Sequence, residues 1–129
     1  MIIDMKKFFL PFVLLATLVI IIGGVLLSSK QEKQEPLPLP SSYEYFWGDG
    51  CPHCAVVEEF LNSREKKDLV KIEKKEVWNN VANAKYLEQR AESCGYKPSE
   101  IAVPFLFTPE GKCLVGDKPI IAFFETLEI

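Results

Sequence analysis

A chain of 129 residues, 48% of them apolar, with a formal net charge of −3, has room for one folded domain and presents no basic surface for a nucleic acid. Residues 41–129 hold eleven Lys or Arg against fifteen Asp or Glu, interspersed along the segment. Charges spread this way describe a solvated surface and point to no charged partner.

The N-terminal part does not have the composition of a globular segment. Phe8 to Leu27 is a run of twenty residues without a charge, rich in Leu, Ile, Val and Phe. As a helix rising about 1.5 Å per residue it would cross roughly 30 Å of hydrocarbon. A cleaved signal peptide has a shorter apolar run and a small-residue cleavage site. Here the run ends in Leu26, Leu27, Ser28 and Ser29, with no Ala-x-Ala pattern and no following cysteine to accept a lipid. Residues 8–27 therefore read as an uncleaved transmembrane signal-anchor. Lys6 and Lys7 stand just before it, so the positive-inside bias makes residues 1–7 a short cytoplasmic N-terminus. A single pass through the cell membrane then leaves the rest of the chain outside the cytoplasm, where disulfides persist.

Residues 28–42, SSKQEKQEPLPLPSS, carry few core-forming side chains and three alternating prolines, Pro36, Pro38 and Pro40. They read as a tether, extended and fairly stiff, with a reach of up to roughly 45 Å.

Residues 43–129 read as the folded domain. Tyr43 to Trp47 is an aromatic strand stopped by Gly48, Asp49 and Gly50. Pro52 suits a first helical position, and Val56, Val57, Phe60 and Leu61 mark a buried stripe, with fraying expected over residues 62–67. Leu69 to Trp78 is a charged second strand. Asn79 or Asn80 caps a helix whose apolar face is Val81, Ala84, Leu87, Ala91 and Cys94, ending at Gly95. Val103 to Thr108 and Lys112 to Gly116 flank a Pro109-Glu110-Gly111 turn and form a hairpin. Asp117 caps a last helix with Pro119 early in it and an apolar body of Ile120, Ile121, Phe123, Phe124 and Leu127. The order is βαβ-α-ββα, an α/β class with a central four-stranded mixed sheet flanked by helices.

The chemistry gathers at Cys51-Pro52-His53-Cys54, where a strand gives way to a helix. A sulfur at a helix N-terminus meets the positive end of the dipole and unpaired backbone N–H groups, and both favour thiolate. Cys51, at the helix start, is the expected attacking sulfur. Cys54, one turn on, can resolve a mixed disulfide by an intramolecular attack. His53, the only histidine in the chain, can place positive charge beside the Cys51 thiolate. Stabilising that thiolate makes the disulfide more oxidising, so Pro52 and His53 set the direction toward disulfide donation.

The element order, Cys-Pro-His-Cys after the first strand, and Val103-Pro104 opening the third strand resemble the thioredoxin superfamily, and most closely its DsbA-like branch. The size is similar to glutaredoxins. The resemblance covers residues 43–129 and implies a thioredoxin-like fold, no cofactor, and a cis proline at Pro104 that faces the sulfurs while the backbone beside it, at Val103, pairs with a bound substrate. It implies cysteine-containing exported proteins as partners and a membrane redox partner that recycles the active pair. Two features depart from the family. There is no space for the helical insertion of larger DsbA-like oxidases, and Tyr45, with Glu44 adjacent, stands where the family often buries an acid. The proton acceptor for Cys54 is thus left open.

Three other readings compete with disulfide donation. A thiol reductase or electron-relay module, as in cytochrome c maturation, would use the same pair. A thioredoxin-like binding module would keep Cys51–Cys54 as a static disulfide, although so short a loop gains little from closure. A zinc domain would usually offer a second close cysteine pair, whereas eighteen residues separate Cys94 and Cys113, so no metal is expected. In a glutaredoxin-like arrangement Cys94, ending the second helix, and Cys113, set by hairpin pairing beside Leu106, are expected to form a structural disulfide. The alternative is two buried thiols acting as small hydrophobes.

Overall fold

A computed structural model describes residues 5–28, 35–65 and 69–127. Residues 1–4 of the short N-terminus, 29–34 of the tether, 66–68 beyond the first helix of the domain, and 128–129 lie outside the described residues. The chain divides into two compact units, Met1–Glu35 and Pro36–Ile129.

The first unit is built on α1 (Met5–Ser28), which extends past the uncharged run at its N-terminal end. Its stretch Phe8–Val25 has a mean hydropathy of 2.7 and buries nothing within the structure. A helix apolar on every face has no polar side to turn toward water. This one is long and apolar enough to cross a membrane.

The second unit is a four-stranded mixed sheet covered on both faces. β1 (Tyr43–Trp47) lies between β2 (Ile72–Glu76), parallel to it, and β3 (Phe105–Phe107), antiparallel to it. β4 (Cys113–Val115) pairs with β3, giving the order β2-β1-β3-β4. Side chains alternate along β1, and the two faces bury different sets. Tyr45 and Leu106 pack with Val57 and Leu61 of α2 (Pro52–Ser63) and with Ile120 and Phe124 of α4 (Asp117–Thr126). Phe46, Phe105 and Phe107 pack with Leu87 and Ala91 of α3 (Val81–Ser93). Each such Val, Leu, Ile or Phe side chain contributes about 1.5–3 kcal/mol through burial alone.

Several boundaries differ from the sequence reading. β2 is five residues long instead of ten: Val70 enters the core ahead of it, and Val77 leaves it with its N–H on the Trp47 carbonyl. Val56 of α2 and Val81 of α3 are exposed, and the buried positions are Cys54, Val57 and Leu61 on α2 and Leu87, Arg90 and Ala91 on α3. Asn80 is the α3 cap, accepting from the Asn83 N–H. Asp117 does not cap α4; Gly116 holds that position with a φ of 94°, and Asp117 is the first helical residue. The hairpin register is shifted by one: Cys113 pairs with Phe107, and Leu114 with Leu106.

The proline segment is docked. Arg90 Nη1 donates to the Pro38 carbonyl at 2.8 Å and to that of Leu37 at 3.5 Å, while the buried Ser42 hydroxyl donates to Glu73 at 2.8 Å. Residues 36–42 therefore pack with the folded unit and add no free reach to the tether.

Candidate active site

β1 delivers the chain into Gly48-Asp49-Gly50, where Gly50 takes a φ of 79° that an L side chain rarely adopts. The Cys51 N–H bonds back to the Gly48 carbonyl at 3.1 Å, and the Trp78 indole covers Gly48 so closely that a Cβ there would collide with it. One carboxylate clasps this turn to the next. Glu76, last in β2, accepts from the N–H groups of Trp78 at 2.8 Å, Asn79 at 2.9 Å and Asp49 at 3.3 Å. Desolvation works against its charge, but these backbone donors together hold its pKa below the usual carboxylate value.

Cys51 is the N-cap of α2 in extended conformation, and Pro52 occupies the first turn, where its missing N–H costs nothing. The Cys54 N–H points at Cys51 Sγ, 3.2 Å away. The cap position that Ser or Asp fills with oxygen is filled here by sulfur. Cys51 and Cys54 are disulfide-bonded, with Cα atoms 5.2 Å apart. Cys51 is 7% exposed and Cys54 2%, so the first cysteine is the more accessible residue.

His53 points away from the core and is 69% exposed, with Nδ1 3.2 Å from Asp117 Oδ2. The hydrogen bond from His53, followed by that from the Lys118 N–H, holds the Asp117 carboxyl below its ordinary pKa. Asp117 was legible only as a helix cap; nothing near His53 in the chain announces a partner 64 residues away.

The Val103-Pro104 peptide is cis. Phe105 pairs with Phe46, which sets Pro104 level with Trp47 at the sheet end that carries the CxxC turn. The Pro104 carbonyl accepts from the Gly116 N–H at 2.9 Å, joining the same end to the start of α4.

Glu44 and Tyr45 divide between the two faces. Tyr45 is buried under α2, and its hydroxyl donates to the Cys54 carbonyl at 3.3 Å. Burial first, and the Glu58 carboxylate second, push its pKa far up, so the phenol keeps its proton. Glu44 faces α3, bonded to Arg90 Nε at 2.8 Å and to the Tyr86 hydroxyl at 2.7 Å. Those partners tie it to the layer opposite Cys54.

Cys94 and Cys113 are disulfide-bonded, with Cα atoms 6.2 Å apart. The one-residue register difference decides this geometry. Phe107 belongs to the α3 face and Leu106 to the other, so Cys113 opposite Phe107 meets Cys94 at the α3 C-terminus. Among the described residues no three His, Cys, Asp or Glu side chains converge as metal ligands.

No family model, no curated protein and no solved structure matches this chain. A mixed α/β unit with a four-stranded sheet and a bonded cysteine pair at CxxC spacing is what stands, and it is compatible with a thioredoxin-like fold.

Proposed function

We propose that the chain is a membrane-anchored thiol–disulfide oxidoreductase with a thioredoxin-like fold, working on exported proteins that contain cysteine. The observation that carries this reading is Cys51 Sγ at the N-cap of α2, with the Cys54 N–H directed at it. An N–H donor and the positive helix end both stabilise the sulfur as an anion, which is the nucleophile and the better leaving group.

Cys51 attacks or is attacked, and Cys54 closes or opens the intramolecular disulfide. His53 with Pro52 tunes the Cys51 thiolate, and the backbone at Val103 and Pro104 flanks the bound substrate chain. α1 holds the enzyme in the cell membrane with the catalytic unit outside the cytoplasm, where a membrane redox partner recycles the pair. The Pro52-His53 dipeptide favours disulfide donation over reduction.

The test is exchange between full-length protein in detergent and a dithiol peptide, followed by equilibration with glutathione. Transfer of the Cys51–Cys54 disulfide to the peptide, at a potential well above about −270 mV, is expected for a donor. A potential at or below that value would make it a reductase or relay, and no exchange at all would sink the enzymatic reading.

A further inference from the structure

Cys54 is 2% exposed in the first turn of α2, so whatever removes its proton must be close by in the structure. The cleft lined by both cysteines encloses about 260 Å³, and Trp47, Gly50, Pro52, Ala55 and Glu58 line it with them. Glu58 is the one carboxylate on that lining. It follows Cys54 by four residues, which places the two on one face of the helix. Lys74 Nζ bonds its Oε2. Lys74 is the register partner of Tyr45, and the Glu58 carboxylate is near enough to the Tyr45 phenol to act on it electrostatically. Glu76 is absent from that lining and shares a second cleft with Trp47, Glu58 and Lys74. His53, by contrast, is on the solvent side against Asp117.

We propose that Glu58 is the proton acceptor and donor for Cys54, positioned by Lys74. This rests on the oxidoreductase reading above. When Cys54 resolves a mixed disulfide, its sulfur bonds to Cys51 Sγ and the bond from Cys51 to the client sulfur breaks. The electron pair leaves with the client thiolate, and the Cys54 proton passes across the cleft to the Glu58 carboxylate. The enzyme pair is oxidised by two electrons and the client reduced by two. In the donating direction a client thiolate attacks Cys51, Cys54 departs as thiolate, and protonated Glu58 returns the proton. Tyr45 cannot substitute, because its burial keeps the phenol protonated, and Glu44 is tied to Arg90 on the other face.

The experiment separates the two chemical steps by stopped flow, using reduced full-length protein in detergent and a disulfide peptide, from pH 5 to 10. Glu58→Gln should slow resolution by about tenfold or more near neutrality, within the ordinary range of acid–base catalysis. Formation of the mixed disulfide should be spared. Glu58→Asp should recover part of the rate, and Lys74→Met should shift the pH profile of resolution alone. The Glu58→Gln deficit should close at alkaline pH, where Cys54 ionises unaided. Unchanged resolution in Glu58→Gln, or equal slowing of both steps, overturns the proposal. Wild-type protein that never forms a mixed disulfide would instead refute the oxidoreductase reading itself.

Discussion

The two cysteine pairs occupy opposite electrostatic settings. Cys51 sits at a helix N-terminus with an N–H aimed at its sulfur. Cys94 is the C-cap of α3, and the sulfurs of Cys94 and Cys113 lie 3.7 and 3.6 Å from the carbonyl oxygens of Gly111 and Arg90. Amide donors stabilise a thiolate, whereas carbonyl oxygens and the negative end of a helix oppose one. The same bond therefore has surroundings that favour a thiolate at one end of the sheet and oppose one on its α3 face. The loops differ too, with sequence separations of 3 and 19.

The sharpest way to break this contrast is to trap intermediates. Under the proposed exchange, Cys54→Ser should accumulate mixed disulfides with disulfide-containing clients, because the Cys51 thiolate opens the client disulfide and nothing resolves the product, and Cys51→Ser should lose exchange altogether. A Cys94→Ser/Cys113→Ser double variant should exchange at close to the native rate. Non-reducing gels with mass spectrometry of the adducts would read all three. Adducts through Cys113 or Cys94 would erase the distinction between the pairs.

Next in size is the scaffold beneath the second pair. Arg90 is 3% exposed, ion-paired to the equally buried Glu44, and stacked 4.6 Å from the centre of the Phe107 ring. Arg90→Met keeps most of the apolar stem but leaves Glu44 buried without its counter-charge, which should cost about 3–5 kcal/mol. The Leu37 and Pro38 carbonyls lose their donor as well. Denaturant unfolding should show the loss. A drop under about 1 kcal/mol would mean the ion pair adds nothing over its desolvation cost.

Removing the crosslink itself should matter somewhat less. In the chain-entropy treatment, a loop of this length is worth about 3 kcal/mol. The Cys94→Ala/Cys113→Ala variant should lower the thermal midpoint while sparing exchange, and mild reduction should open Cys51–Cys54 first. Equal susceptibility of both disulfides would contradict the electrostatic distinction.

The sequence was most legible where local rules act alone. Gly-Asp-Gly followed by Cys-Pro placed the strand end, the cap and the first helical turn, because turn and cap preferences are properties of neighbouring residues. Long-range geometry was harder. The hairpin turn was recognised, yet its register was misplaced by one residue, and that single step determines which face Cys113 reaches. Buried Arg90 was invisible, since a charged residue at one position of α3 reads as solvated until Glu44 and Tyr86 are seen against it. Asp117 was likewise an ordinary acid until the fold brought it beside His53, and Glu58 until the cleft it lines with Cys54 was formed.

The smallest expected effect belongs to the rim of the first pair, and pH isolates it. Asp117 is held below its ordinary pKa by the His53 hydrogen bond first and the Lys118 N–H second. A carboxyl lowered in the folded state binds its proton less readily there than in the unfolded chain. Its contribution is therefore complete above the ordinary Asp value of about 3.9, and is lost as pH falls from there through the folded pKa. The pair is exposed on the His53 side, so its effect on global stability should be slight and should fade with salt. Its local consequence is for the imidazole, which loses its carboxylate and is free to reorient near Cys51. Nuclear magnetic resonance titration should show the Asp117 carboxyl moving below its model-peptide midpoint, with the His53 ring signals shifting in the same acidic window. Asp117→Asn should remove that acidic shift of the His53 signals and leave the thermal midpoint nearly unchanged. A His53 spectrum indifferent to Asp117→Asn would show that the contact does not orient the ring, and that the rim of the active pair is no better ordered than the open surface around it.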